Sequence, residues 1–169
     1  MKENRISHYL LAVVTLIAAV ILDQWTKYLA VLNLKNQTPY TLIEEVFKLQ
    51  YLENRGAAFG MLQNQRMFFY ICVVIIAVFV IWFYQRVPMT NRYLPLRLCS
   101  IFVLAGGIGN FIDRVKLNYV VDFFYFELID FPIFNVADIY VTCSMFALVF
   151  FICFYYKEEE LDRVFSRRK

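Results

Sequence analysis

The sequence predicts an all-α membrane protein of four transmembrane helices, with both termini cytoplasmic and short strands in the first of two long outer connections. Three observations predict it. The 169 residues are 61% hydrophobic, 19% aromatic and only 18% charged, where a soluble domain is about 45–50% apolar and about 25% charged. Four apolar stretches are long enough to cross a bilayer, which takes roughly 20 helical residues. Lys and Arg gather in the connections of one side. One domain, residues 1–169, fits the length, yet it is far too short to hide this much apolar surface from water, so the solvent is lipid. Disorder, a soluble nucleic-acid binder and most cytosolic enzymes are excluded. The formal charge of +3 gives no reason to expect nucleic acid as a partner.

The spans run from about Tyr9 to Leu32, Met67 to Tyr84, Tyr93 to Ile112 and Ile139 to Tyr156. The first begins like a secretory signal, with Lys2 and Arg5 ahead of an apolar run. It lacks a small-residue cleavage site and continues through Trp25, so it is an uncleaved span. The second and fourth carry no charge. The N-terminus, the loop from Gln85 to Arg92 and the tail from Lys157 share most of the basic residues, including Arg86, Arg92, Arg163, Arg167, Arg168 and Lys169. By the positive-inside rule that side is cytoplasmic and the connections 33–66 and 113–138 face outward. In the first of these, Thr41-Leu42-Ile43 and the alternating Phe47-Lys48-Leu49-Gln50-Tyr51-Leu52 suggest strands at the membrane surface. The second is rich in Phe and Tyr, which suits a loop dipping into the interface.

Five of the six aspartates, Asp23, Asp113, Asp122, Asp130 and Asp138, fall near the outer end of a span or in an outer connection. A helix rising about 1.5 Å per residue from Tyr9 brings Asp23 and Lys27 to the outer half of the bilayer. There the third span delivers Asn110 and Asp113, and the fourth begins at Asp138. Each buried aspartate costs about 2.5–3.5 kcal/mol on insertion, so a cluster needs a reason. Asp23 and Lys27 alone would be a one-turn ion pair easing its own insertion. Asp138 alone would answer a helix dipole, with Asn135 as N-cap. Neither explanation reaches Asp122, or Asn110 and Asp113 arriving on another span.

The five glycines fall in two groups, Gly56 and Gly60 within Asn54–Gly60, and Gly106, Gly107 and Gly109 just before Asn110. A turn between surface strands accounts for the first group. Close helix packing accounts for the second, with Ala105 and Gly109 as a small-xxx-small pair. Both groups remain compatible with a role at a site.

The residue inventory narrows the chemistry. Only one histidine is present, His8 at the inner end of the first span, which excludes an HExxH zinc protease, a bis-histidine haem bundle and an outer Ser-His-Asp triad. No serine sits in a GxSxG elbow, and the one intramembrane lysine has Asp23 beside it, against a Ser/Lys dyad. Cys72, Cys99, Cys143 and Cys153 all lie in apolar segments, so no CxxC metal site or disulfide framework can be drawn. No phosphate or dinucleotide loop appears. Carboxylate chemistry remains: two aspartates held close share a proton, one activates water and the other protonates the scissile carbonyl, with no cofactor and no metal. Asp122 and Asp138 are the best-placed pair, with Asp113 as the competitor. A proton- or ion-coupled transporter is the alternative reading of intramembrane Asp and Lys.

The ordered blocks Asn54-Arg55-Gly56-Ala57-Ala58-Phe59-Gly60, Gly109-Asn110-Phe111-Ile112-Asp113-Arg114, Val120-Val121-Asp122-Phe123 and Phe134-Asn135-Val136-Ala137-Asp138 resemble the signature of the lipoprotein signal peptidase (signal peptidase II) family. Asp23-Gln24-Trp25-Thr26-Lys27 resembles a fifth block. The resemblance implies an aspartic endopeptidase of the bacterial inner membrane, multi-pass, with its active site near the outer leaflet. It would cleave the signal peptide from diacylglyceryl-modified prolipoproteins, N-terminal to the lipidated cysteine, among membrane lipid. Asp122 and Asp138 would be the catalytic dyad. Asn110, Asp113, Arg114 and Asn135 would orient it or bind substrate, and Asn54, Asp23, Lys27 and Gly109 would support the site. The resemblance also implies a small extracytoplasmic β-sheet formed mainly by the first outer loop, and inhibition by globomycin-type cyclic peptides.

Overall fold

A computed structural model describes residues 5–56 and 65–165. Helix α1 (Arg5–Leu34) leads into strands β1 (Tyr40–Ile43) and β2 (Phe47–Asn54), and α2 (Arg66–Arg86) returns. A short 3-10 turn, Asn91–Tyr93, opens α3 (Leu94–Leu117), followed by β3 (Val120–Phe126) and α4 (Val136–Phe150). Helix α4 widens into a π turn, Phe151–Tyr155, before the short helix α5 (Glu158–Phe165). Four helices are long and apolar enough to cross a membrane. Residues Ala57 to Gly60 of the first glycine block lie outside the described residues.

Helix α3 is the middle of the bundle. Buried residues make up 44% of its most apolar window, against 11–17% in the other three spans. The rest of the bundle turns its Ile, Val and Phe side chains outward, as a chain solvated by lipid does. Two glycines let the helices close in. A Cβ on Gly106 would strike the carbonyl oxygen of Ala137 and lie 2.6 Å from Val141 Cγ2, and one on Gly109 would strike Asp23 Oδ2. Gly107 has nothing within 4 Å and plays no part in this packing.

Helix α3 extends beyond the Ile112 limit set by hydropathy. It continues to Leu117 and closes at Asn118 in the left-handed region, φ 69°. Arg114 and Lys116 in its last turn face the negative end of the helix dipole. Asp113 and Arg114 are therefore helical residues, held in register with Asn110, and are not part of the outer loop. The loss of apolar character marked the edge of the span but not the end of the helix.

The three strands form one antiparallel sheet in the order β1-β2-β3. Two strands come from the first long connection, as the alternation predicts. The third comes from the second connection, whose Val120–Phe126 segment pairs with β2 where a loose interfacial loop was expected. Ala30, Val121 and Phe123 form a buried cluster that seats the sheet on the end of α1.

The opposite end of the bundle gathers the start of α1, the α2–α3 connection and α5. Tyr84 donates to the His8 carbonyl at 3.1 Å. The buried Arg97 guanidinium donates to the carbonyls of Pro88 and, at 2.9 Å, Thr90. Arg92 grips Glu160 at 2.8 and 3.0 Å and lies 4.1 Å from the Tyr155 ring centre. This places the aspartate cluster and the sheet at one end of the bundle, and the start of α1 and α5 at the other.

Candidate active site

Asp23 and Lys27 of α1 meet Asp113 and the part-buried Asn110 of α3 where α1, α3 and α4 converge. Asp23 is fully buried, 0% exposed, and Lys27 is 3% exposed. The Lys27 ammonium donates to Asp23 at 3.0 Å, Asp113 at 3.1 Å and Asn110 Oδ1 at 2.8 Å. An ammonium has three protons, and each has a partner. The one-turn pair expected from the sequence is present, and it is also the hinge between α1 and α3. Gln24, one position on, bonds Asp113 at 2.9 Å and the Gly109 carbonyl at 3.2 Å. The sequence reading gave Gln24 no role.

The two aspartates on Lys27 each hold a backbone. Asp23 accepts from Ala137 N–H at 2.9 Å, and Asp113 accepts from Val121 N–H at 3.1 Å. Ala137 precedes Asp138, and Val121 precedes Asp122. One buried cation thus fixes the backbones from which the two candidate dyad residues project. A charge group this deep persists only when its partners and hydrogen bonds are complete, and here they are.

Asp138 arises from the capping of α4. Asn135 is the N-cap: its side-chain oxygen accepts from Asp138 N–H at 3.1 Å, and Asp138 Oδ2 accepts from Asn135 N–H at 3.1 Å. This reciprocal pair satisfies two backbone donors that a helix start leaves open. The remaining oxygen, Asp138 Oδ1, accepts from Asn110 Nδ2 at 2.8 Å. Asp122 arises from strand register. Leu52 pairs with Asp122 and Asn54 with Val120, so Asn54 and Asp122 are diagonal neighbours. Asn54 Nδ2 donates to Asp122 Oδ2 at 2.8 Å.

Asn135 joins the two halves. Its amide nitrogen donates to Asp122 Oδ1 at 2.6 Å and to Asn110 Oδ1 at 3.1 Å. Each of the four carboxylate oxygens of Asp122 and Asp138 therefore has a fixed N–H donor. Burial first, then the charge of Asp138, pushes the Asp122 carboxyl up to about 7, against the downward pull of Asn54 and Asn135. Asp113, the competitor for the dyad, is occupied with Lys27, Gln24 and Val121 and does not line the cavity.

Asp122 and Asp138 open onto one cavity of about 540 Å³. Arg114 stands on its wall, donating to the Gly56 carbonyl at 3.2 Å and lying 4.1 Å from the Phe69 ring centre. Phe126, Phe131, Ile133 and Phe134 make an apolar rim. Among the described residues no three His, Cys, Asp or Glu side chains are placed to hold a metal ion.

The family model described as Signal peptidase (SPase) II matches residues 15–154. This chain belongs to the signal peptidase II family. It is therefore a peptidase of the bacterial inner membrane, and its multi-pass architecture agrees. The chain is similar to the lipoprotein signal peptidase of Streptococcus thermophilus, 43% identical over 146 residues, covering 86% of this chain and 92% of that one. It is also similar to the lipoprotein signal peptidase of Caldanaerobacter subterraneus, 41% identical over 145 residues, covering 85% and 97%. Two solved bacterial membrane enzymes share the fold. One aligns with TM-score 0.75 at 28% identity over 94% of this chain and 92% of its own. The other gives 0.73 at 30% identity over 86% and 94%. Signal peptidase II membership covers every described element of the cluster, from Asp23 to Asp138.

Proposed function

We propose that this chain is an aspartic endopeptidase that removes the signal peptide from diacylglyceryl-modified prolipoproteins, cutting on the N-terminal side of the lipidated cysteine. The observation that carries the proposal is the bridging of Asp122 and Asp138 by Asn135 over a shared cavity. Asp122, raised to about 7, holds the proton and Asp138 serves as base. Asp138 takes a proton from water as the water oxygen bonds to the scissile carbonyl carbon, and Asp122 protonates the carbonyl oxygen. Collapse of the resulting diol breaks the C–N bond as Asp138 passes its new proton to the nitrogen and Asp122 takes one back from a diol hydroxyl. The products are a carboxylic acid on the signal peptide and a free amine on the lipidated cysteine. No cofactor or metal enters this scheme.

The surroundings support the same reading. Arg114 and Asn54 offer donors on the cavity wall to a bound peptide backbone, and the Phe126–Phe134 rim offers an apolar bed for acyl chains. A lipid-modified peptide carries its chains in the outer leaflet and its scissile bond near the headgroups, so the site belongs at that depth. The basic residues of the α2–α3 connection and the tail support, by the positive-inside rule, the reading that both termini are cytoplasmic. Globomycin-type cyclic peptides would occupy the dyad cavity. Nucleic acid has no part in this function.

The test is cleavage of a purified diacylglyceryl prolipoprotein by the wild-type chain and by Asp122→Asn and Asp138→Asn separately. Loss of turnover of about 10²–10⁴-fold in each is expected for proton-transfer groups. Near-normal turnover in either variant removes that residue from the dyad.

A further inference from the structure

We propose that a groove between α3 and α4, running from the dyad cavity toward the chain termini, receives the apolar helix of the substrate's signal peptide. This rests on the peptidase reading above and extends it to the part of the substrate that is discarded. A second cavity, of about 460 Å³, lies between Leu98, Cys99 and Phe102 of α3 and Cys143 and Ala147 of α4 with Phe151 of the π turn. Cys143 also lines the dyad cavity, so the two spaces adjoin at that residue. Ile139, Cys143 and Ala147 are spaced four apart and form a single stripe down α4 that ends at Phe151, the first residue of the π turn. The stripe begins one residue after Asp138.

Length and shape fit that occupant. From Ile139 to Phe151 a helix rises about 18 Å. The apolar region of a signal peptide has about 7–15 residues, or roughly 10–22 Å as a helix. Cys99, Cys143 and Ala147 are small, so a second helix can approach closely where lipid provides no hydrophobic drive and packing decides association. Beyond Phe151 the chain enters α5, whose first turn carries exposed Glu158 and Glu159. A signal peptide begins with positive charge, so the acidic turn lies on the side of the membrane where that charge remains. The groove thus holds the helix while its last residues enter the dyad cavity, and packing of this kind reads length and apolarity.

Two measurements test this on the full chain. The first compares a full-length prolipoprotein with a short substrate keeping the lipidated cysteine and its neighbours but lacking the apolar run. Wild type is expected to prefer the long substrate by tenfold or more in kcat/KM. Ala147→Trp, which fills the groove, is expected to lose most of that preference through KM. Phe146→Trp, at the neighbouring position that is 74% exposed, is expected to retain it. An unchanged preference in Ala147→Trp overturns the proposal and leaves the peptidase reading intact. Absence of cleavage of both substrates by wild type overturns both. The second measurement is disulfide cross-linking to Cys143 in an Asp122→Asn chain with Cys72, Cys99 and Cys153 replaced, using prolipoproteins with single cysteines along the apolar run. Cross-links recurring every three or four positions are expected. Their absence, or an even yield at all positions, shows the groove to be filled by membrane lipid and overturns the proposal.

Discussion

Asp23 accepts a hydrogen bond at 2.9 Å from the backbone N–H of Ala137, 114 residues away and immediately before Asp138. Asp113 stands in the same relation to Val121, immediately before Asp122, and Lys27 lies between the two carboxylates. The first span thus sets the distance between two aspartates that lie on a strand and on another helix.

Removing that cation is expected to be worse than removing one of its anions. Lys27→Met leaves two buried carboxylates without a counter-charge, a change of about 3–5 kcal/mol in stability. Asp23→Asn keeps the Lys27–Asp113 pair. Adding Asp23→Asn to Lys27→Met is expected to recover part of the loss, because the two residues are coupled. Thermal midpoints of the three variants in detergent check this. An additive double mutant would show that Lys27 and Asp23 act independently.

The glycine block of α3 predicts three unequal outcomes from one substitution. Gly107→Ala meets nothing within 4 Å and is expected to leave cleavage intact and to stabilise the helix by about 0.5–1 kcal/mol. Gly109→Ala drives a methyl group into Asp23, and Gly106→Ala drives one into the start of α4. Each is expected to cost about 1–3 kcal/mol as overpacking. Gly109→Ala is also expected to lower kcat, since it moves the carboxylate that positions Ala137. Parallel melting and cleavage assays separate the three.

How much of this was readable beforehand depends on what each residue does to the pattern of the chain. The four spans, β1 and β2 were legible because apolar length and two-residue alternation are periodic signals. Strand β3 was not. Val120, Val121, Asp122 and Phe123 are all buried, so both faces of that strand are covered and the alternation disappears. Asp122 and Asp138 were legible as expensive charges in an apolar chain, and the family resemblance named them as a pair. Gln24 was not, because a neutral amide in a span gives no comparable signal and its two partners on α3 are defined only by folding. The end of α3 is hidden for the same reason in reverse: Asp113 and Arg114 are charged like loop residues, yet both lie in the last turns of the helix, Asp113 on Lys27 and Arg114 on the Gly56 carbonyl.

The Asp122 proton makes a prediction with a definite sign. Its carboxyl ordinarily titrates near 3.8 and is pushed up to about 7 in the folded chain, by burial and then by Asp138. Between these values the folded state binds more proton than the unfolded state. This group's contribution to stability therefore falls as pH rises from about 4 to about 7, and the acid form needed for catalysis is lost above 7. On free enzyme, kcat/KM is expected to fall on the alkaline side with a midpoint near 7, and the pair as a whole to give a bell-shaped profile. Infrared spectroscopy reads the same proton without turnover. A protonated-carboxyl band is expected to fade as pH passes 7 and to be missing in Asp122→Asn. In Asp138→Asn it is expected to fade at lower pH, since removing the neighbouring charge removes one of the two causes that raise Asp122. A band that stays in place in Asp138→Asn would mean that the two carboxyl groups do not sense each other, and that they do not form a proton-sharing pair.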